Sequence, residues 1–233
     1  MASTSQPTAV VTGGTGFLGT AVCRRLFADG YRVFATAESE AAADRFRAEP
    51  GHREIVTRVV ELTDGTAVDG LFAEIDGPVD ALACLAGGWR GGPLAETTDD
   101  DLALLTRMNV TSAVVTLRAA YPYLRRAAAG AGVVLVSSRS ALAGGAGSAV
   151  YAATKAGVAG LVYSLAAEWL EEAISINAIA PGILDTPANR EAMPDADHDR
   201  WPSTEALAAV VTFLLGPQAR VVSGAVVPVY GRS

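Results

Sequence analysis

The feature that most constrains the fold is the regular alternation of apolar, β-forming segments with segments of helical periodicity. Seven segments have the composition of buried strands, and they cover residues 8–13, 32–37, 54–62, 80–87, 132–138, 174–181 and 225–231. Strands that alternate with helices predict βαβ units and therefore a parallel sheet. Because these strands are apolar almost throughout, we expect helices to cover both faces of the sheet.

The composition predicts one globular domain over residues 1–233. Half of the residues are hydrophobic, which is enough to form a sizeable core. The net charge is −7 and no basic block occurs, so we expect no nucleic-acid partner. We find no signal peptide and no apolar run long enough to span a membrane, and we therefore expect a cytoplasmic protein without membrane contact.

Cysteine and histidine give no indication of a metal site. Cys23 and Cys84 lie in apolar segments without metal-ligand spacing, which predicts buried free thiols in a reducing compartment. His52 and His198 have no other candidate ligands near them in the sequence. We therefore expect no metal.

A glycine motif follows the first strand and opens the first helix. Gly14, Gly16 and Gly19 form G-x-G-x-x-G, the pattern that lets a backbone turn tightly, approach a pyrophosphate and present helix N–H groups to it. The alternative is a tight turn without a ligand, and enzymes that bind FAD, NAD or sugar nucleotides share the motif. The predicted cofactor contacts here are Gly13, Thr15, Gly16, Phe17 and Leu18.

The end of the second strand bears on the choice of cofactor. Ala37 occupies the position where an acidic residue would bind a ribose 2′-hydroxyl, and Glu38 follows it. A carboxylate repels a 2′-phosphate, so Glu38 favours NAD(H) over NADP(H). Alternatively, Glu38 is a solvated residue at the start of a helix.

Tyr151 and Lys155 are the candidate acid–base pair. Four residues apart in a helical segment, they share one helix face. A carbonyl that receives a hydride also needs a proton, and a nearby ammonium lowers the pKa of a phenol from its ordinary value of ~10.

Two polar residues accompany this pair. Ser138 ends a strand and can donate to a substrate oxygen, while Asn109 lies within an apolar helical segment. Asn109 can open the helical hydrogen-bond ladder and order a water that leads to Lys155; alternatively, it is a surface residue.

Together, TGxxGxxG, the spacing of Ser138, Tyr151 and Lys155, Asn109 and the segment NAIAPGILDTP resemble the short-chain dehydrogenase/reductase family over the whole chain. The resemblance implies a single-domain, Rossmann-type, doubly wound α/β fold and hydride transfer between a nicotinamide and a carbonyl or alcohol. In it, Tyr151 is the acid–base, Lys155 tunes the phenol and binds ribose, Ser138 positions the carbonyl, and Asn109 supports a proton relay. Further cofactor contacts implied are Ala86, Gly87, Gly88, Pro181, Gly182, Ile183 and Thr186.

The sequence departs from the family pattern in three places. The spelling TGGTGFLG is typical of the longer branch, which includes redox-neutral epimerases and dehydratases with tightly bound NAD; the spacing of Ser138 and the short segment after Lys155 favour the short branch. Cys84 and Leu85 replace two asparagines. Glu61 replaces an aspartate that contacts adenine, with Leu62 beside it.

The substrate side is less constrained. LAGGWRGG and residues 184–201 resemble dihydropteridine reductase, whose pterin chemistry is the alternative to ordinary carbonyl reduction. Residues 184–203 are predicted to be an irregular loop over the site. Candidate pocket residues are Trp89, Arg90, Leu142, Met193 and Trp201; packing is the alternative for both tryptophans, and solvation for Arg90.

A second copy of the chain is the expected macromolecular partner. The segments 100–126 and 150–170 are long helices that are apolar on more than one face. In the family such helices pack against another subunit, which implies a homodimer or homotetramer. A cofactor-binding sensor without redox activity is the remaining alternative, which the complete set of four polar residues disfavours.

Overall fold

All seven predicted strands are present in the computed structural model, which describes residues 6–232. Their bounds are Thr8–Thr12 for β1, Arg32–Ala37 for β2, Val56–Val59 for β3, Ala81–Cys84 for β4, Ala131–Val136 for β5, Ile174–Pro181 for β6 and Val226–Val229 for β7. They form one parallel sheet in the order β3-β2-β1-β4-β5-β6-β7. The predicted α/β class and the parallel seven-stranded sheet are therefore confirmed.

The connections between the strands are helical. Within residues 6–232 the α-helices are Phe17–Ala28 (α1), Glu40–Ala48 (α2), Gly65–Ala73 (α3), Asp99–Thr106 (α4), Ser112–Leu124 (α5), Arg139–Ala143 (α6), Ala149–Glu168 (α7), Pro187–Ala192 (α8) and Thr204–Leu215 (α9). A π-helical segment, Arg107–Thr111, joins α4 to α5. The helix predicted over 100–126 is thus one continuous rod with a wider turn in its middle.

Two apolar cores lie on opposite faces of the sheet. Val10 belongs to the core beneath α3, α5 and α7, whereas its neighbour Val11 belongs to the core beneath α1 and α9. Successive side chains of a strand point to opposite faces, so apolar residues at both positions require helices on both sides. This explains the continuous apolar runs in the sequence.

The order of the strands creates a crevice at one edge of the sheet. The chain proceeds outward from β1 to β3 and then returns to place β4 on the other side of β1. At such a reversal the loops that follow the two central strands diverge, and ligands of open α/β sheets bind there. Thr12 and Cys84 are paired at the ends of β1 and β4, so the glycine loop and residues 85–88 face each other.

Three expectations are corrected. β3, β4 and β5 end two to three residues earlier than predicted, so Leu85, Ser137 and Ser138 lie beyond the sheet. Residues 184–203 are not irregular, since they contain α8 and a 3-10 turn at His198–Arg200. The N-cap hydroxyl of Thr186 starts α8, and the ion pair between Asp185 and Arg190 at 2.6 Å spans its first turn.

The third correction concerns membrane-spanning length. Helix α7 is long and apolar enough to cross a membrane by length and composition, contrary to the expectation from the sequence. In the fold it packs against β5 and β6, and its buried residues include Thr154, Lys155 and Val162. Its hydropathy therefore reflects partly its place in the core and partly an exposed face without charges along most of its length.

Candidate active site

The glycine loop brings backbone groups to the crevice. Gly13 has a positive φ of 66°, and a Cβ there would lie 2.8 Å from the amide nitrogen of Ala86. Its N–H donates to Thr36 Oγ1 at 3.0 Å, which fixes the turn to β2. Helix α1 begins at Phe17, and its N-cap residue, Gly16, has no side chain with which to cap the first N–H groups. Those groups are free to receive a phosphate.

The last glycine of the motif acts in packing, as predicted. A Cβ on Gly19 would lie 2.1 Å from the carbonyl oxygen of Gly13, so the helix could not pass this close to the turn with any larger residue. The left-handed residue is Gly13 and not Gly14, which instead lies against the side chain of Ala35. The turn therefore begins one residue earlier than the motif suggested.

A cleft of about 580 Å³ extends from this loop across the ends of β2 and β3. The predicted cofactor residues that line it are Gly13, Thr15, Gly16, Glu38, Glu61, Leu62, Ala86 and Gly87. The other predicted contacts, Phe17, Leu18, Gly88, Tyr151, Lys155, Pro181, Gly182, Ile183 and Thr186, do not line this cleft. Tyr151 and Lys155 lie on α7, where Lys155 contacts the end of β5. Pro181 ends β6, and residues 182–186 follow that strand.

Two arginines in the cleft were not found from the sequence. Arg45 projects from α2 near Glu38, and Arg107 lies at the start of the π-helical segment. Both are exposed. Neither has a local signal that distinguishes it from a solvated helix residue, because only the folding of separate helices over the strand ends brings them to one cleft.

Glu61 is held by its own turn. Its carboxylate accepts from the N–H of Thr63 at 3.0 Å and from Thr63 Oγ1 at 2.7 Å. These two hydrogen bonds hold the pKa of Glu61 below its ordinary value, and the charge of Arg107 contributes to the same shift. The carboxylate is therefore an ionised, oriented acceptor at the edge of the cleft.

Ser138 and Tyr151 meet beyond the end of β5. Ser138 is the N-cap of α6, where its Oγ accepts from the N–H of Ser140 at 3.1 Å. Burial raises the pKa of Tyr151 above its ordinary value, and a hydrogen bond with the Ser138 side chain opposes that shift. The expectation that Lys155 lowers this pKa is not met, because desolvation of the phenol dominates.

Lys155 is buried on the same face of α7 as Tyr151. Its Nζ donates to the carbonyl oxygen of Val136 at 3.0 Å and lies 5.9 Å from the centre of the Tyr151 ring. Burial lowers the pKa of Lys155 to about 8. The hydroxyl of Ser137 donates to the Lys155 carbonyl oxygen at 2.9 Å and so anchors this turn of α7 to the end of β5.

Asn109 joins the π-helical segment to the loop after β4. It is buried, with Oδ1 accepting from the N–H of Gly88 at 3.0 Å and Nδ2 donating to the Gly88 carbonyl oxygen and to Thr154 Oγ1, both at 3.1 Å. The prediction that Asn109 opens the helical ladder is confirmed, since it lies within the π-helical turn. The alternative of a surface residue is wrong.

Gly87 connects Asn109 to Lys155. A Cβ on Gly87 would lie 2.7 Å from Asn109 Oδ1 and 3.1 Å from Lys155 Nζ. Only a glycine lets the chain pass between these two groups. The loop after β4 thereby touches the cleft on one side and the buried lysine on the other.

The candidate substrate residues divide by exposure. Trp201 is buried beside His198, so the packing alternative is correct for it. Trp89 is 69% exposed, which excludes packing in the monomer. Arg90 is exposed, in agreement with the solvation alternative, and it forms an ion pair with Asp101. Leu142 is exposed and Met193 is half-buried.

The comparisons with known proteins agree with this geometry. The family model of the short chain dehydrogenases matches residues 7–197. The chain belongs to the short-chain dehydrogenase/reductase family. Among curated relatives, the 3-oxoacyl-acyl-carrier-protein reductase MabA of Mycobacterium tuberculosis is 31% identical over 233 residues, covering 95% of this chain and 90% of that protein.

Solved structures in the family have the same fold. An oxidoreductase of the short-chain dehydrogenase/reductase family from Burkholderia thailandensis is 28% identical, with a TM-score of 0.89 over 98% of this chain and 92% of that one. ElxO with NADP bound has a TM-score of 0.90 at 22% identity, over 97% of this chain and 98% of that one, and so supports the fold alone. The chain is an NAD(P)-dependent oxidoreductase that acts on carbonyl or alcohol carbons.

Proposed function

We propose that Tyr151 exchanges the proton when a hydride passes between a nicotinamide and a carbonyl or alcohol carbon. The observation that carries this proposal is the meeting of the Tyr151 and Ser138 side chains beside Lys155, at the carboxyl end of the central strands and next to the cleft. The uncapped first turn of α1 and the glycine passage at Gly87 fit a dinucleotide in that cleft. When bound, the nicotinamide donates or accepts the hydride.

Each residue of the set has a separate task. Ser138 holds the substrate oxygen next to the phenol, and Tyr151 donates its proton to that oxygen. Burial keeps the phenol protonated, which is the form that a reduction requires. Lys155 offers an ammonium to a ribose hydroxyl and to the phenolate once it forms, while Asn109 positions the Gly87–Gly88 backbone between itself and Lys155.

The decisive experiment is the substitution Tyr151→Phe. It removes the hydroxyl and keeps the ring, so we expect turnover to fall by about 10²–10⁴-fold while the dissociation constant of the cofactor stays the same. Turnover is read at the absorbance of the reduced nicotinamide over a panel of ketones and aldehydes. Unchanged turnover would remove Tyr151 from the mechanism.

For the cofactor, NAD(H) remains our proposal over NADP(H). Glu38 lines the cleft directly after β2, where a 2′-phosphate would meet its carboxylate. Arg45, which lines the same cleft, works in the opposite direction and would attract that phosphate. Titration of the protein with NADH and with NADPH tests which of the two charges prevails. Tighter binding of NADPH would overturn the proposed preference for NAD(H).

The substrate that fits best is an apolar carbonyl compound of moderate size. The segments that follow β4, β5 and β6 expose Trp89, Leu142 and Ile183, at 69%, 44% and 39%. A substitution of Trp89→Ala should raise the KM of cyclic or aromatic ketones several-fold more than that of acetone, with Phe213→Ala, an exposed aromatic on α9, as a control. Equal effects on all ketones would contradict an apolar contact.

We also propose self-association through α7. Its exposed residues include Ala156, Gly160 and Tyr163, and Glu168 at its end is the one exposed charge among the described residues of this helix. Sedimentation should show a dimer or tetramer, and Tyr163→Arg should shift it toward the monomer. A monomeric wild-type protein at micromolar concentration would contradict this.

A further inference from the structure

The sulfur atoms of this protein differ greatly in their access to solvent. Both cysteines are buried, and burial raises the pKa of each thiol, to about 12 for Cys84. The thiolate is the form that reacts with peroxides, so neither cysteine is reactive. Met108 is 37% exposed and Met193 is half-buried. Thioethers are thus the oxidisable sulfurs of residues 6–232.

Met108 lies inside the candidate cofactor cleft. It belongs to the π-helical segment and lines the cleft together with Leu104 and Ser112. Its end packs directly on the loop after β4: a Cβ on Gly88 would lie 2.1 Å from Met108 Cε and 3.0 Å from Sδ. The thioether therefore covers the α-carbon of Gly88.

Met108 and Asn109 hold the same peptide from two directions. Asn109 bonds the N–H and the carbonyl oxygen of Gly88, while the neighbouring Met108 packs on its α-carbon. Gly87, one residue earlier, lies so near Asn109 Oδ1 and Lys155 Nζ that a Cβ on it would be 2.7 Å and 3.1 Å from them. A displacement of Gly88 would consequently be felt by both of those groups.

We propose that Met108 is a site of reversible oxidation by peroxides, and that its sulfoxide weakens cofactor binding. A hydroperoxide transfers one oxygen atom to Sδ, which is oxidised by two electrons, and the hydroperoxide is reduced to an alcohol or to water. The product is a methionine sulfoxide, which thiol-dependent methionine sulfoxide reductases convert back.

The physical effect follows from the packing at Gly88. Oxidation replaces a flexible, apolar thioether with a larger, polar group. That group is crowded where the thioether now packs on the Gly88 α-carbon, and its oxygen would compete with Asn109 for the N–H of Gly88. We expect the loop after β4 to move from its place between Asn109 and Lys155 and the cofactor to bind about tenfold more weakly.

The experiment compares the cofactor-free protein before and after treatment with hydrogen peroxide. After removal of the peroxide, calorimetry measures the dissociation constant of NADH, and peptide mass spectrometry locates the added oxygen. A parallel sample is treated with hydrogen peroxide in the presence of saturating NAD⁺. The bound cofactor should shield Met108 from oxidation. Treatment with a methionine sulfoxide reductase should restore the original dissociation constant of NADH. Peroxide damage of any other kind would not be reversed by this enzyme.

Three variants sharpen the result. Met108→Leu should have the same affinity for NADH before and after peroxide, each variant being compared with its own untreated sample, whereas Met193→Leu should lose affinity after peroxide as the wild type does. Met108→Gln, which places a polar group on Gly88 without oxidation, should weaken binding in untreated protein. Circular dichroism checks that each variant is folded.

The inference about Met108 rests on the proposed cofactor cleft, but different results would refute the cleft assignment and the role of Met108. If untreated protein binds neither NADH nor NADPH, the cleft assignment is wrong. If untreated protein binds NADH but oxidation of Met108 leaves the constant unchanged, or if Met108→Leu loses affinity as the wild type does, the role of Met108 is refuted. Oxidation of Met193 with no oxidation of Met108 refutes it equally.

Discussion

The proposed reaction centre and the candidate cofactor cleft adjoin one another, yet their polar groups are held in different ways. In the reaction centre, Asn109, Lys155 and Ser138 are 2%, 5% and 7% exposed, and each has at least one hydrogen-bond partner within 3.1 Å. In the cleft, Glu38 and Arg45 are exposed. One region is a fixed arrangement of buried groups, and the other is an open surface lined with charges.

The difference fits the tasks that we propose for the two regions. A proton and a hydride are transferred over short distances, so the groups involved need fixed positions and a dry environment. Recognition of a ribose and its phosphates also depends on many backbone N–H groups, which tolerate movement of a few side chains. We therefore expect substitutions in the first region to lower stability and turnover. Substitutions in the second region should alter the preference between NADH and NADPH.

The largest effect is expected for Asn109→Ala. It removes the side-chain partner of the Gly88 N–H and carbonyl group and one hydrogen bond to Thr154 Oγ1, which keeps its bond to the Tyr151 carbonyl oxygen. A polar group left buried without a partner costs about 1–3 kcal/mol. We expect a lower free energy of unfolding in urea and a fall in turnover of about 10²-fold. Glu61→Gln in the open cleft is the matched control, and its stability should change by less than about 0.5 kcal/mol. Equal losses in the two variants would erase the distinction between the regions.

The second-largest effect is expected in the pH dependence of cofactor affinity. Lys155 has a pKa of about 8, below its ordinary 10.5, because it is buried. As the pH rises above 8 the ammonium is lost, and the affinity for NADH should fall by up to about tenfold per pH unit.

Stability should move in the opposite direction. Below pH 8 the native state carries a buried ammonium, which costs free energy. Between about 8 and 10.5 the unfolded chain still binds the proton that the native state has released, so the native state becomes relatively more stable as the pH rises. Lys155→Met should abolish both dependences; if the affinity of the variant still falls above pH 8, another group is responsible.

The smallest effect is expected in the choice of cofactor. Glu38→Ala removes a charge that repels a 2′-phosphate, and Arg45→Ala removes one that attracts it. The ratio of kcat/KM for NADPH over NADH should rise several-fold, at most about tenfold, in the first variant and fall by a similar factor in the second. Stability should be unaffected in both, because the side chains are exposed. Shifts in the same direction would show that the two charges do not act on the same phosphate.

Much of this arrangement was accessible from local patterns. The seven strands alternate with helices along the chain, so the parallel sheet could be predicted without any long-range information. The spacing of Tyr151 and Lys155 places them on one helix face because the α-helix has 3.6 residues per turn. Asn109 could be singled out as a polar residue in an apolar helix. Less could be predicted of residues 184–203, where three prolines and mixed charges concealed the N-cap of α8 at Thr186.

Contacts between distant segments were not accessible in this way. Local spacing does not reveal that Arg45, Arg107 and Met108 share one cleft, because they meet only after separate helices fold over the ends of β1 to β4. Likewise, the pKa of Tyr151 depends on burial, which no neighbour in the sequence specifies.

The amino-acid sequence alone determined the fold class, the glycine loop after β1 and the placement of Tyr151 and Lys155 on one helix face, since each depends on local patterns of residues. The tertiary structure alone decided the passage of Gly87 between Asn109 and Lys155, the exposure of Trp89 and the set of charged side chains that line the cleft. These depend on how strand ends, helices and loops far apart in the chain are brought together, and on how much water remains between them.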